Sequence, residues 1–191
     1  MNTDKVVTVP NVLTLIRFLI AVGFLVLALV GPAVYTELTW GMLLILFLSG
    51  SITDYLDGWI ARTWPEQATA LGARIDPVAD KLLVFAYVVF LWSAGIADWW
   101  LEILLFVLIG LREVFVSVYR ARYGHGSLPV GWKGKWKTGW QLLALTCYGL
   151  YPFAPELSEM WSPVVLLVAT GFTWWSLADY FFGGTEDTLR A

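Results

Sequence analysis

The chain has 191 residues, of which 59% are hydrophobic and 14% charged, with a formal net charge of −3. Soluble domains carry about 25% charged residues, so this balance excludes an ordinary soluble fold and a basic nucleic-acid-binding protein. One cysteine, Cys147, and one histidine, His125, exclude a disulfide framework, a thiolate metal site and a His-rich zinc cluster.

The apolar residues form long runs instead of alternating, which predicts membrane-spanning helices. In chain order they are expected over about residues 11–31, 40–63, 74–93, 99–120, 137–153 and 160–182. The first run contains Arg17, so its opening turns are expected to lie along the membrane surface as a short N-terminal interfacial segment. That run is long and no small-residue cleavage site follows it, which makes a signal peptide a poor fit. The expected fold class is therefore all-α: a polytopic membrane protein with six transmembrane helices. It forms one domain over residues 1–182, followed by a short cytoplasmic tail at 183–191. No internal repeat relates the two halves, and no Walker loop, G-x-G-x-x-G or G-x-S-x-G segment occurs.

Charge placement orients these helices. With the amino terminus cytoplasmic, the outer loops fall at about 32–39, 94–98 and 154–159 and contain no Lys or Arg. All twelve basic residues, Lys5, Arg17, Arg62, Arg74, Lys81, Arg112, Arg120, Arg122, Lys133, Lys135, Lys137 and Arg190, then lie at or towards the cytoplasmic side. Both termini are expected inside, in a multi-pass protein of a bacterial-type inner membrane. Trp40, Trp64, Trp92, Trp99, Trp100, Trp136 and Trp161 lie near predicted helix ends, where an aromatic belt belongs. His125, in a cytoplasmic loop, reads as a solvated bystander.

Four carboxylates break the apolar pattern. The segments are Asp54-Tyr-Leu-Asp57-Gly58-Trp-Ile-Ala61-Arg62 and, nine residues on, Gly72-Ala-Arg-Ile-Asp76-Pro-Val-Ala-Asp80. A carboxylate at bilayer depth is costly unless paired, hydrated or metal-bound. At about 100° per residue, Asp54, Asp57, Gly58 and Ala61 share one helix face with Arg62 at its edge, while Gly72, Asp76 and Asp80 recur every four residues. Antiparallel neighbours would bring four acids together where small residues leave room. Such acids cannot all stay ionised without a counter-charge. Oxygen-only ligands favour a hard cation, Mg²⁺, Mn²⁺ or Ca²⁺, and paired divalent ions commonly serve displacement at phosphorus. Two other readings stand beside this one: structural pairing with Arg62, Arg74 and Lys81, or the ion site of a cation transporter. Structural pairing needs neither the glycines nor the regular spacing; a transporter would call for broken half-helices or a repeat and leaves the basic cytoplasmic cluster unexplained. An intramembrane aspartyl protease would need a Gly-x-Gly-Asp segment, which is absent.

The stretch Asp54-x2-Asp57-Gly58-x2-Ala61-Arg62-x9-Gly72-x3-Asp76-x3-Asp80 resembles the signature of the CDP-alcohol phosphotransferases at all eight positions. Asn11-x-Leu13-Thr14-x2-Arg17 resembles the segment before that family's first membrane helix. Arg112-Glu113-Val-Phe-Val-Ser and Gly134-Lys135-Trp-Lys137-Thr138 resemble motifs of its phosphatidylglycerophosphate synthase branch, in Trp-rich surroundings (Trp132, Trp136, Trp140) heavier than that branch leads one to expect.

The resemblance implies a six-helix membrane enzyme of phospholipid biosynthesis, usually a homodimer, whose polar cavity opens to the cytoplasm and whose donor is CDP-diacylglycerol. It assigns two Mg²⁺ or Mn²⁺ ions to Asp54, Asp57, Asp76 and Asp80, with Asp80 also the general base. It assigns the CDP site to Asn11, Thr14, Asp54, Gly58, Ala61, Arg62 and Gly72. The acceptor alcohol is left open among glycerol 3-phosphate, phosphatidylglycerol (cardiolipin synthesis), inositol phosphate and an uncharged alcohol such as serine. Arg112, Lys135 and Lys137 are the cations best placed to meet an anionic acceptor, which favours glycerol 3-phosphate.

Overall fold

The computed structural model describes residues 8–31, 35–63, 70–96, 100–123 and 132–182; at 10, 54–63, 70–74, 77, 120–121, 123, 132–135 and 179–182 it describes backbone alone. Among these residues there are six helices and no strand: α1 (Val9–Val30), α2 (Glu37–Thr63), α3 (Ala70–Ser93), α4 (Trp100–Tyr123), α5 (Trp132–Gly149) and α6 (Pro155–Phe182). They form two compact units, α1–α3 and α4–α6, dividing after Ile96.

Local chemistry explains the ends. Pro10 sits in the first turn of α1, where an amide would have no intrahelical partner. Thr36 caps α2 by accepting the Thr39 amide at 3.2 Å. The end of α3 is a Schellman motif: Gly95 takes φ 73°, its amide reaches Trp92 O at 3.0 Å, and the Ile96 amide reaches Leu91 O at 3.1 Å.

One expected boundary shifts. The predicted outer loop at 154–159 is largely the first turn of α6, because Pro155 presets helical φ and Glu156 suits the positive end of the helix dipole; the connection is instead the turn at 150–154. Trp40 lies in the first turn of α2 and is buried, with its ring 5.4 Å from Tyr35 in edge-to-face packing and 5.0 Å from Phe90. Trp92, Trp100, Trp136 and Trp161 are exposed, while Trp64, Trp99 and His125 lie outside the described residues.

In the first unit α1 and α3 run parallel, joined at Thr14–Asp76 and, further along, at Phe24–Tyr87, where the ring centroids are 5.0 Å apart. α2 runs antiparallel to both. Phe47 of α2 stacks on Tyr87 of α3 at 3.9 Å with 9° between the planes. One turn on, a Cβ added to Gly50 would lie 2.8 Å from Leu83 Cδ2. A side chain at position 50 would therefore make the end of Leu83 shift. The Gly50 carbonyl lies 3.2 Å from Arg17 Nε, so the guanidinium buried inside α1 is bonded to α2. α1 itself runs unbroken through Arg17.

In the second unit α5 and α6 are antiparallel. Gln141 Nε2 donates to Thr173 Oγ1 at 3.0 Å, and Trp140 stacks over Phe172 at 6.0 Å. Phe106 of α4 meets Tyr148 of α5 at 5.8 Å.

Both units expose large apolar side chains, among them Leu29, Ile45, Phe85, Leu104, Val118 and Leu167, and bury Arg17, Arg112, Lys137, Thr173 and Ser176. This reverses the usual distribution of soluble proteins. Among the described residues two segments, Asn11–Val30 and Pro155–Ala178, are long and apolar enough to cross a membrane; the apolar part of α2, Glu37–Thr53, is shorter.

Candidate active site

Asp76 and Asp80 sit one turn apart on α3, both half-buried. The Thr14 hydroxyl of α1 donates to Asp76 Oδ1. Thr14 is therefore engaged with an acid expected to bind metal, although the family resemblance assigns it to CDP. Asn11, half-buried, precedes it by one turn on the same face. Gly58, Ala61 and Arg62 belong to the last turns of α2 and Gly72 to the first turn of α3; their side chains, with those of Asp54 and Asp57, lie outside the described residues. Among the described residues no three His, Cys, Asp or Glu side chains converge. The two acids that are described fit a hard cation: they offer oxygen only, and a carboxylate has about four acceptor sites, so one hydroxyl donor leaves room for an ion.

A second polar centre lies within α4–α6. Arg112 of α4 is buried; its Nη1 meets Glu113 Oε1 at 3.1 Å and its Nη2 donates to Ser176 Oγ of α6 at 2.8 Å. Lys137 Nζ of α5 donates to the same Glu113 oxygen. Ser176 Oγ in turn donates to Thr173 O at 2.9 Å, and Thr173 takes the Gln141 amide. Two of the three predicted acceptor-site cations, Arg112 and Lys137, are thereby brought together; the side chain of Lys135 is not among those described.

Sequence reasoning gave no part to Glu113, Gln141, Thr173 or Ser176, and assigned nothing to the last helix. A signal was present. Lys137 and Gln141 stand four apart, and Thr170, Thr173 and Ser176 recur every three residues through an otherwise apolar α6, marking one polar face on each helix.

Two acids one turn apart on α3 in the first unit, a buried cluster of cations in the second, and an apolar exterior define a membrane-associated helical protein. The chain belongs to the CDP-alcohol phosphatidyltransferase family, whose model matches residues 7–177. It is similar to proteins named CDP-diacylglycerol–glycerol-3-phosphate 3-phosphatidyltransferase from several bacteria. With that of Pectobacterium atrosepticum it is 34% identical over 186 residues, 95% of this chain and 97% of the relative. For Sodalis glossinidius the identity is 33% over the same shares. For Cereibacter sphaeroides it is 34% over 189 residues, 96% of this chain and 79% of the relative. No solved structure matches the chain significantly.

Proposed function

We propose that the chain transfers the phosphatidyl group of CDP-diacylglycerol to sn-glycerol 3-phosphate, forming phosphatidylglycerophosphate and CMP. The observation that carries the choice of acceptor is the union of Arg112 and Lys137, from different helices, around one carboxylate oxygen. Two buried cations gathered at one point, one of them a guanidinium fork, suit a phosphate monoester drawn from water. Phosphatidylglycerol already resides in the bilayer and brings a single diester charge, so it needs such a centre less. The names of the full-length relatives support the same acceptor.

The donor end rests on α2 and α3. Their antiparallel register passes through Phe47–Tyr87 and Gly50–Leu83. Continued by one and two turns, it sets residue 54 at the level of 80 and residue 57 at the level of 76. The four acids would hold two Mg²⁺ or Mn²⁺ ions, which when bound would neutralise and polarise the donor's diphosphate. Arg62 contacts phosphate or nucleotide, and Gly58, Ala61 and Gly72 leave space for CDP. Asp80 accepts the proton of the acceptor hydroxyl as its oxygen forms a bond to the phosphorus bearing diacylglycerol. The bond from that phosphorus to the CMP oxygen breaks, and CMP leaves.

This reading carries the finer topology with it: one domain of six spans, both termini and the site cytoplasmic, in a bacterial-type cell membrane, as a homodimer. What supports it is the Lys- and Arg-free outer connections, the apolar exterior and the family resemblance. The test is purified protein with CDP-diacylglycerol and each acceptor in turn, following CMP release. Release driven by glycerol 3-phosphate supports the proposal; release that ignores it and depends on phosphatidylglycerol makes the enzyme a cardiolipin synthase.

A further inference from the structure

Glu113 and Ser176 hold the two cations in a way that neither sequence position announces. The Arg112 side chain is 3% exposed, that of Lys137 10% and that of Glu113 24%, so the carboxylate is the most exposed of the three. A guanidinium is a planar fork with a fixed set of donors. Here one arm goes to Glu113 and the other to Ser176, which fixes the plane of the fork between α4 and α6. Lys137 is a point charge on a flexible stem, and its direction is set by the same Glu113 oxygen. Ser176 is itself fixed, because its own proton goes to Thr173 O and Thr173 is bonded to Gln141, one turn beyond Lys137 on α5. The hydrogen bonds thus form a circuit: α5 to α4 through Lys137–Glu113, α4 to α6 through Arg112–Ser176, and α6 back to α5 through Thr173–Gln141. Glu113 Oε1 is the atom that both cations meet, so its loss removes the contact that holds them together.

We propose that Glu113 and Ser176 are positioning residues for the acceptor: they set Arg112 and Lys137 as one cationic pair that receives the acceptor's phosphate. This rests on the acceptor reading above and adds α6 to that site. Neither residue needs to touch substrate, so their removal acts through the geometry of the pair. The effect should fall on acceptor affinity, with the donor site in the other unit unaffected.

The test is steady-state kinetics of purified variants, with apparent KM measured separately for glycerol 3-phosphate and CDP-diacylglycerol. Glu113→Gln keeps the shape and removes the charge; it should raise the KM for glycerol 3-phosphate about tenfold or more, as expected for loss of a buried charge-assisted contact, and leave that for CDP-diacylglycerol within about twofold. Ser176→Ala should raise the same KM by a smaller factor, and Ser176→Thr, which keeps the hydroxyl, should restore it. Should Glu113→Gln fail to fold, the Ser176 pair decides alone. A raised glycerol 3-phosphate KM in Arg112→Ala beside unchanged values in Glu113→Gln and Ser176→Ala overturns the positioning role and leaves the acceptor reading standing. An unchanged value in Arg112→Ala overturns both.

Discussion

The Thr14 hydroxyl on α1 donates a hydrogen bond to Asp76 Oδ1 on α3, between parallel helices 62 positions apart in sequence. An outer partner of this kind fixes the orientation of a metal-binding carboxylate, and its loss typically costs 10- to 100-fold in metal affinity. Thr14→Val, close in shape but without the donor, should therefore need about tenfold more Mg²⁺ for half-maximal activity. Direct Mn²⁺ titration should show the same shift, and Thr14→Ser should recover most of it. Unchanged Mn²⁺ binding in Thr14→Val would show that the hydrogen bond does not serve the metal.

Metal dependence is expected of the acids as a group. Activity should vanish in excess chelator and return with Mg²⁺ or Mn²⁺. Asp54→Ala, Asp57→Ala and Asp76→Ala should each lose activity by about two orders of magnitude or more, since every removal takes away a ligand and part of the charge that the ions balance. Full turnover in chelator would remove the metal from the mechanism.

Asp80 is expected to differ from its neighbours. It lies one turn beyond Asp76 along α3, and Asp80→Asn keeps an oxygen for a cation but cannot take a proton. That variant should still bind CDP-diacylglycerol with metal and fail to transfer it. If its donor binding falls as far as that of Asp57→Asn, Asp80 acts mainly as a ligand.

Gly50 predicts a stability effect in the first unit. A Cβ there would stand 2.8 Å from the Leu83 side chain, which is fully buried. Gly50→Ala sets that crowding against a gain in helix propensity of about 1 kcal/mol and should be close to neutral. Gly50→Val adds branched bulk and should destabilise by about 1–3 kcal/mol, seen as a lower unfolding temperature in detergent. An unfolding temperature equal to the parent's would mean that α2 and α3 are not in close contact at this level.

Topology can be read by accessibility. In a Cys147→Ser background, Phe153→Cys should react with an impermeant thiol reagent added outside, whereas Gln67→Cys and Gly126→Cys should react only after the membrane is opened. Labelling of position 67 in intact cells would place the acids on the wrong side for a cytoplasmic nucleotide.

The number of helices, their faces and the acid-bearing segment were legible in the sequence because each is a local property. Hydrophobic run length, a four-residue recurrence of Asp76 and Asp80, and the lack of Lys and Arg at 32–39, 94–98 and 154–159 need no knowledge of what packs against what. Helix ends were legible to within a few residues, and the start of α6 slipped because its capping chemistry at Pro155 was masked by a polar stretch that read as a loop. What only the tertiary structure decided is partnership. Thr14 and Asp76, Arg17 and Gly50, Glu113 and Lys137, and Arg112 and Ser176 each lie on different helices. Helical periodicity says which side of a helix is polar; it does not say which neighbour that side meets, because the pairing is set by packing between helices and by the need of every buried charge for a counter-group.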